Sequence, residues 1–186
     1  MDMPITPFEP CEVAEVIVRQ SNNKAPGHDV ICNATLKALP RQAILYITLV
    51  FNAIVRLQYF PYQWKLGIIS MIHKPGKPER EPASYRPISL LPSISKVFER
   101  LIAVRIVRIM EARGITPEHQ FGFRAGHCTV EQLHRVVEQI LTAYDNKEYC
   151  NSLFLDIREA FDRVWHIGLI IVHSLYCLTH KKYCIP

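Results

Sequence analysis

Apolar side chains recur along this chain at two periods, and each change of period marks an element. Val13, Val16 and Ile17 share one helical face between Glu12 and Arg19, the spacing a helix needs to bury one side. Asn33 to Leu39 reads as a short helix ending near Pro40. Arg41 to Leu57 reads as a long, nearly all-apolar helix closed by Pro61, because proline cannot continue the hydrogen-bond ladder. Its most apolar part, Ala43 to Val55, is interrupted by Tyr46, Thr48 and Asn52 and is too short to cross a bilayer. A buried helix is expected there.

Leu66 to His73 is short and rich in isoleucine, which predicts a strand. Lys74-Pro75-Gly76-Lys77-Pro78 turns the chain. Ser84 to Leu91 should then be extended, since Pro87 biases Arg86 away from helical angles. From Ser95 a helix presents Phe98, Leu101, Ile102, Ile109 and Met110 on one face, with Gly114 just past its end. Thr129-Val130-Glu131-Gln132 fits a capping box, and Val130, Leu133, Val136, Val137, Ile140 and Tyr144 stripe the helix that follows. Leu153 to Leu155 predicts another strand. Helices and short strands mix without a regular βαβ repeat, so the expected class is α+β.

Bulk properties narrow this only a little. The 186 residues make 21.5 kDa, room for one domain or for one domain and part of another. Apolar residues at 49% can fill a core, and a net charge of +5 suits an anionic partner without requiring one. Met1-Asp2-Met3-Pro4 shows no basic or apolar leader, and no Cys-x-x-Cys pair stands among six cysteines. Reduced thiols and a cytoplasmic or nuclear location are expected, with no membrane partner. His173, Cys177, His180 and Cys184 have zinc-like spacing. On a helix all four would lie along one stripe and could not surround one ion, so the spacing reads as chance.

The chemistry concentrates between Ser152 and His166. Three bulky residues run into Asp156, and a helix-like pattern follows at once. A carboxylate at a strand end suits Mg²⁺, a hard ion that takes oxygen ligands. Asp156 with Glu159 three residues later equally describes a helix start, the aspartate capping free N–H groups.

This segment, continuing as Ala160-Phe161-Asp162, resembles the first catalytic motif of reverse transcriptases from non-LTR retrotransposons of the jockey-like and long-interspersed-element group. Three more segments resemble that family in family order. Asn23-Lys24-Ala25-Pro26-Gly27-His28-Asp29 is similar to the loop opening its fingers region. Ser84-Tyr85-Arg86-Pro87-Ile88-Ser89-Leu90-Leu91 is similar to its arginine-bearing fingers motif. Gln120-Phe121-Gly122-Phe123-Arg124-Ala125-Gly126-His127-Cys128-Thr129 is similar to the next, except that Cys128 stands where the family carries a small hydroxyl residue.

The resemblance implies a right-hand polymerase fold, with fingers over residues 1–150 and the start of the palm over 151–186. It implies that Asp156 binds Mg²⁺ (or Mn²⁺) together with the backbone carbonyl of Ile157, and that Phe161 is a steric gate under the incoming sugar. Phe161 reads equally well as a core aromatic, and Asp162 as structural. Arg86 and Lys74 would hold the incoming deoxynucleoside triphosphate, Arg86 through its bidentate fork and Lys74 as a point charge, unless Lys74 is only a solvated turn residue. Arg86, Lys74 and Asp156 would then face one cleft with Phe161 on its floor. Arg124 and Gly126 would meet the nucleic acid, or else form a tight turn before the Thr129 helix. RNA template and DNA primer are the implied partners.

The family also carries a Tyr/Phe-Ala-Asp-Asp hairpin, and this chain has neither that motif nor any Asp or Glu after Asp162. Past Gly168-Leu169 the likeness fades. A carboxy-terminally truncated polymerase is therefore expected: a fragment of an RNA-directed DNA polymerase, alone inactive. The rival reading is a non-catalytic, pseudogene-like remnant that binds nucleic acid weakly at most.

Overall fold

The computed structural model describes residues 6–112, 114–157, 160 and 163–171. The chain divides into two units, Met1–Arg108 and Ile109–Pro186, each with its own organisation. Helices and strands mix as expected for α+β.

The first unit opens with α1 (Pro10–Arg19). Proline is free at the first helical position, where no N–H is needed, so the helix starts earlier than its apolar stripe shows. A capping box closes the start, with the Glu9 N–H donating to Glu12 Oε2 at 2.9 Å. α2 (Asn33–Lys37) and α3 (Arg41–Leu57) follow where the pattern places them. α3 is not buried all round, however. It buries Thr48, Phe51 and Ile54 and leaves Leu45, Tyr46, Leu49 and Val50 exposed, because the core touches one face only. Two of the polar residues that interrupt its sequence are satisfied locally. Thr48 donates to the Ile44 carbonyl at 2.7 Å, while Asn52 accepts from the Phe8 N–H at 2.6 Å and donates back to its carbonyl at 3.0 Å.

α4 (Tyr62–Lys65) has no counterpart in the sequence reading, since four residues carry no period. Tertiary packing makes it. Trp64 joins an aromatic cluster around Phe98 of α5 (Ser93–Ala112), whose ring centre lies 5.2 Å from Phe51, 5.9 Å from Trp64, 6.0 Å from Phe60 and 6.2 Å from Phe8. Such pairs contribute about 0.5–1.5 kcal/mol each beyond their burial. Val13, Ile17, Leu36, Ile54, Val97 and Leu101 complete this core.

The loop before α2 is tied to the start of α5. Ser93 Oγ donates to the Ile31 carbonyl at 2.7 Å and Lys96 Nζ to the Ala25 carbonyl at 3.1 Å. α5 begins at Ser93, two residues before the expected Ser95.

β1 (Ile68–His73) and β2 (Tyr85–Leu90) form a two-stranded antiparallel sheet with Ile72 opposite Arg86 and Met71 opposite Pro87. A 3₁₀ turn at Pro82–Ser84 leads into β2.

In the second unit, α6 (Thr129–Asp145) is capped one residue earlier than expected. Cys128 is the cap, and its N–H donates to Glu131 Oε2 at 2.9 Å. Glu131 stands three residues beyond this cap, as Gln132 would beyond Thr129, but Glu131 brings a charge to the positive helix end. The apolar stripe of α6 forms without burying a residue. Leu153, Phe154 and Leu155 are not a strand. They are 82–84% exposed, and a strand exists only through a hydrogen-bonded neighbour, which no described residue provides. Residues 166–171 are helical. No helix among the described residues is long and apolar enough to cross a membrane.

Candidate nucleotide and metal site

In the first unit, the β1–β2 hairpin positions both expected triphosphate contacts. Opposed residues of an antiparallel pair share a face, as do residues two apart. The register Ile72↔Arg86 therefore puts Arg86 and the next even position, Lys74, on one side of the ribbon. The Lys74 N–H donates to the Ser84 carbonyl at 2.7 Å, which makes that pair hydrogen-bonded and, by alternation, leaves Met71 opposite Pro87 as a non-hydrogen-bonded pair. Pro87 thus costs the ladder nothing while it stiffens the backbone beside Arg86.

The two cations differ in freedom. Lys74 is half-buried and its ammonium donates to the Ala83 carbonyl at 2.7 Å. Arg86 is exposed, and among the described residues no hydrogen bond or ion pair engages its guanidinium. The opposite face carries a brace that sequence reasoning missed. The His73 and Tyr85 rings meet edge to face at 5.2 Å, His73 Nε2 contacts the Lys77 carbonyl at 3.0 Å and Tyr85 donates to the Glu79 carbonyl at 3.0 Å. Alternation along the strands was the available signal, since His73 and Tyr85 sit at odd positions and so share the face opposite Ile72 and Arg86.

In the second unit, the segment around Arg124 and Gly126 is a closed turn. Arg124 donates to the Pro117 carbonyl at 3.1 Å, and Phe121 packs on His127 at 4.9 Å with Arg135 5.0 Å above its ring. Gly126 has φ of +75° and open space where a Cβ would stand, so backbone conformation demands glycine there. Phe123, also left-handed at φ +59°, is fully exposed.

Asp156 and Ile157 lie at the end of the exposed, irregular segment 151–157. Together they offer a carboxylate and a main-chain carbonyl, hard oxygen donors of the kind Mg²⁺ takes. Among the described residues no group of three or more His, Cys, Asp or Glu is placed to hold a metal. Phe161, Asp162, His173, Cys177, His180 and Cys184 lie outside the described residues.

Comparison with known proteins agrees with these motifs. The reverse transcriptase (RNA-dependent DNA polymerase) family matches residues 72–180. Over 91% of its length the chain is 98% identical to a Drosophila melanogaster protein named as a probable RNA-directed DNA polymerase from transposon X-element. It is 61% identical to the one named for transposon BS of the same fly, and 50% identical to the RNA-directed DNA polymerase from mobile element jockey of Drosophila funebris. The chain spans 19% of the length of each of these three relatives. With the family matched over most of its residues and the motifs standing in family order, this chain belongs to the reverse transcriptases.

Proposed function

We propose that this chain is the nucleotide-gripping fingers, residues 1–150, and the beginning of the palm, residues 151–186, of a retrotransposon RNA-directed DNA polymerase. The observation that carries the reading is the placement of Lys74 and Arg86 on one face of a proline-stiffened hairpin, with the guanidinium unengaged. Arg86 receives the triphosphate of a deoxynucleotide through paired, charge-assisted hydrogen bonds. Lys74, held by the Ala83 carbonyl, adds a fixed positive charge.

Asp156 and the Ile157 carbonyl hold Mg²⁺ (or Mn²⁺) together with carboxylates from elsewhere in the intact polymerase. The bound ion would supply charge neutralisation for phosphoryl transfer. Phe161 limits the space under the sugar, and Arg124 and the Gly126 turn meet the RNA template or DNA primer. The place of action is the cytoplasm or nucleus.

The test uses a complete transposon polymerase carrying this sequence. A bidentate charged contact is worth about 1.5–3 kcal/mol, so Arg86→Ala should raise the KM for deoxynucleotides roughly ten- to a hundredfold. Template–primer affinity should stay as it was. An unchanged KM would remove Arg86 from the nucleotide site.

A further inference from the structure

The first unit carries a second cationic feature, away from the hairpin. A cavity of about 510 Å³ opens between α1 and α5, floored by Val16, Leu101 and Val104. Its acids are already engaged. Glu12 accepts from Arg105 at 3.1 Å, and Glu15 pairs with Arg19 at 2.5 Å. Arg105 is a wall of the groove rather than a free group. It also donates to the Thr6 and Pro7 carbonyls and lies 3.9 Å over the Phe8 ring.

That leaves Arg100 and Arg108. Both line the cavity and are exposed, and among the described residues neither has a hydrogen bond or ion pair. They follow one i, i+4 row of α5 through Val104. Two helical turns separate them, about 12 Å along the axis.

We propose that this α1–α5 groove binds the phosphodiester backbone of single-stranded RNA, with Arg100 and Arg108 each taking a phosphate. Two arginines spaced along the groove suit a chain of regularly spaced anions better than one small anion. The planar fork of arginine matches phosphate oxygens in pairs, and the apolar floor suits the face of a base or sugar. The groove is lined by α1, Gln20 and α5 and by no residue of the β1–β2 hairpin, so it is separate from the nucleotide-gripping hairpin. The polymerase reading enters only in choosing RNA among polyanions. An acidic peptide is the competing occupant. The groove test reads RNA affinity and the hairpin test reads nucleotide KM, so the two readings fail separately.

The test titrates the 186-residue chain into fluorescent oligouridine at several salt concentrations. Arg100→Glu with Arg108→Glu should weaken binding at least tenfold. It should also flatten the salt dependence by about 1.4 in log–log slope, roughly 0.7 for each lost phosphate contact. A charge-matched pair elsewhere, Lys37→Glu with Arg56→Glu, should change affinity less than threefold. Circular dichroism checks folding, and Arg100→Gln with Arg108→Gln replaces the reversal if that variant unfolds. Equal losses in both pairs, or unchanged affinity and slope in the groove pair, would overturn the proposal. So would polyglutamate displacing the RNA at equal charge concentration.

Discussion

Gly27 and Pro92 meet backbone to backbone: a Cβ on Gly27 would stand 2.4 Å from the Pro92 nitrogen and 2.6 Å from the Leu91 carbonyl carbon. The contact seats the Asn23–Asp29 loop on the junction between β2 and α5. Ser93 and Lys96 then fasten the same loop by hydrogen bonds to the Ile31 and Ala25 carbonyls. The glycine is required by space, and its neighbours are main-chain atoms that cannot turn aside.

Gly27→Ala should therefore destabilise the first unit by on the order of 3 kcal/mol, the upper range for overpacking a tight site. Ser93→Ala removes one hydroxyl donor and should cost about 1 kcal/mol. Urea unfolding measures both. A Gly27→Ala midpoint equal to that of the parent would show that the loop is not seated on Pro92.

Val30 stands three residues on, with φ +58° and 77% of its surface exposed. A β-branched residue in the left-handed region carries roughly 1–2 kcal/mol of strain. Asparagine tolerates that region, so Val30→Asn should raise stability by about 1 kcal/mol. Val30→Ile should bring no gain. If both variants melt at the parental temperature, the strain at Val30 is absent in solution.

Much of this architecture was legible in the sequence, and the failures share a cause. α3, α6 and the two strands follow from period and proline because those signals act within a few residues. α4 escaped because Trp64 is held by the distant Phe98. The exposed face of α3 escaped because a nearly all-apolar stretch cannot show which side meets a core. Leu153 to Leu155 fits a strand in composition, yet strand formation depends on a neighbour. At the candidate site, Arg86 was readable from its motif. The brace of His73 and Tyr85 and the free pair Arg100 and Arg108 depend on what other elements leave unsatisfied, which no local pattern states.

Cysteine chemistry supplies a pH-dependent check on the first unit. The Thr35 hydroxyl, 3.2 Å from Cys32 Sγ, holds that thiol below its ordinary value, while the hydrogen bond from Cys11 to the Glu9 carboxylate pushes Cys11 up. A lowered value means more thiolate at a given pH. The pH midpoint for alkylation of Cys32 should fall below that of Cys11, and Thr35→Val should move the Cys32 midpoint upward. Mass-resolved labelling with iodoacetamide reads each site. Coincident midpoints in the parent protein would contradict the Thr35 hydrogen bond.

The 186-residue polypeptide, purified by itself, should not extend a primer. Nucleotidyl transfer uses two divalent ions roughly 3.5–4 Å apart. Holding them takes bridging carboxylates that converge from more than one segment. Asp156, the acid proposed above for this role, lies on an exposed stretch with no metal-binding cluster among the described residues. Beyond Asp162 the 186 residues contain no Asp or Glu to complete the set. Arg86 and Lys74 can still neutralise part of a triphosphate, but charge developing at the transferring phosphorus would remain unmatched. Primer extension on an RNA template with Mg²⁺ or Mn²⁺ tests this, with Asp156→Ala as the control for contaminating polymerase. Extension that persists in the control is contamination and leaves the expectation standing. Extension that disappears with Asp156 would overturn it, and would require the missing carboxylates to come from a second copy of the chain.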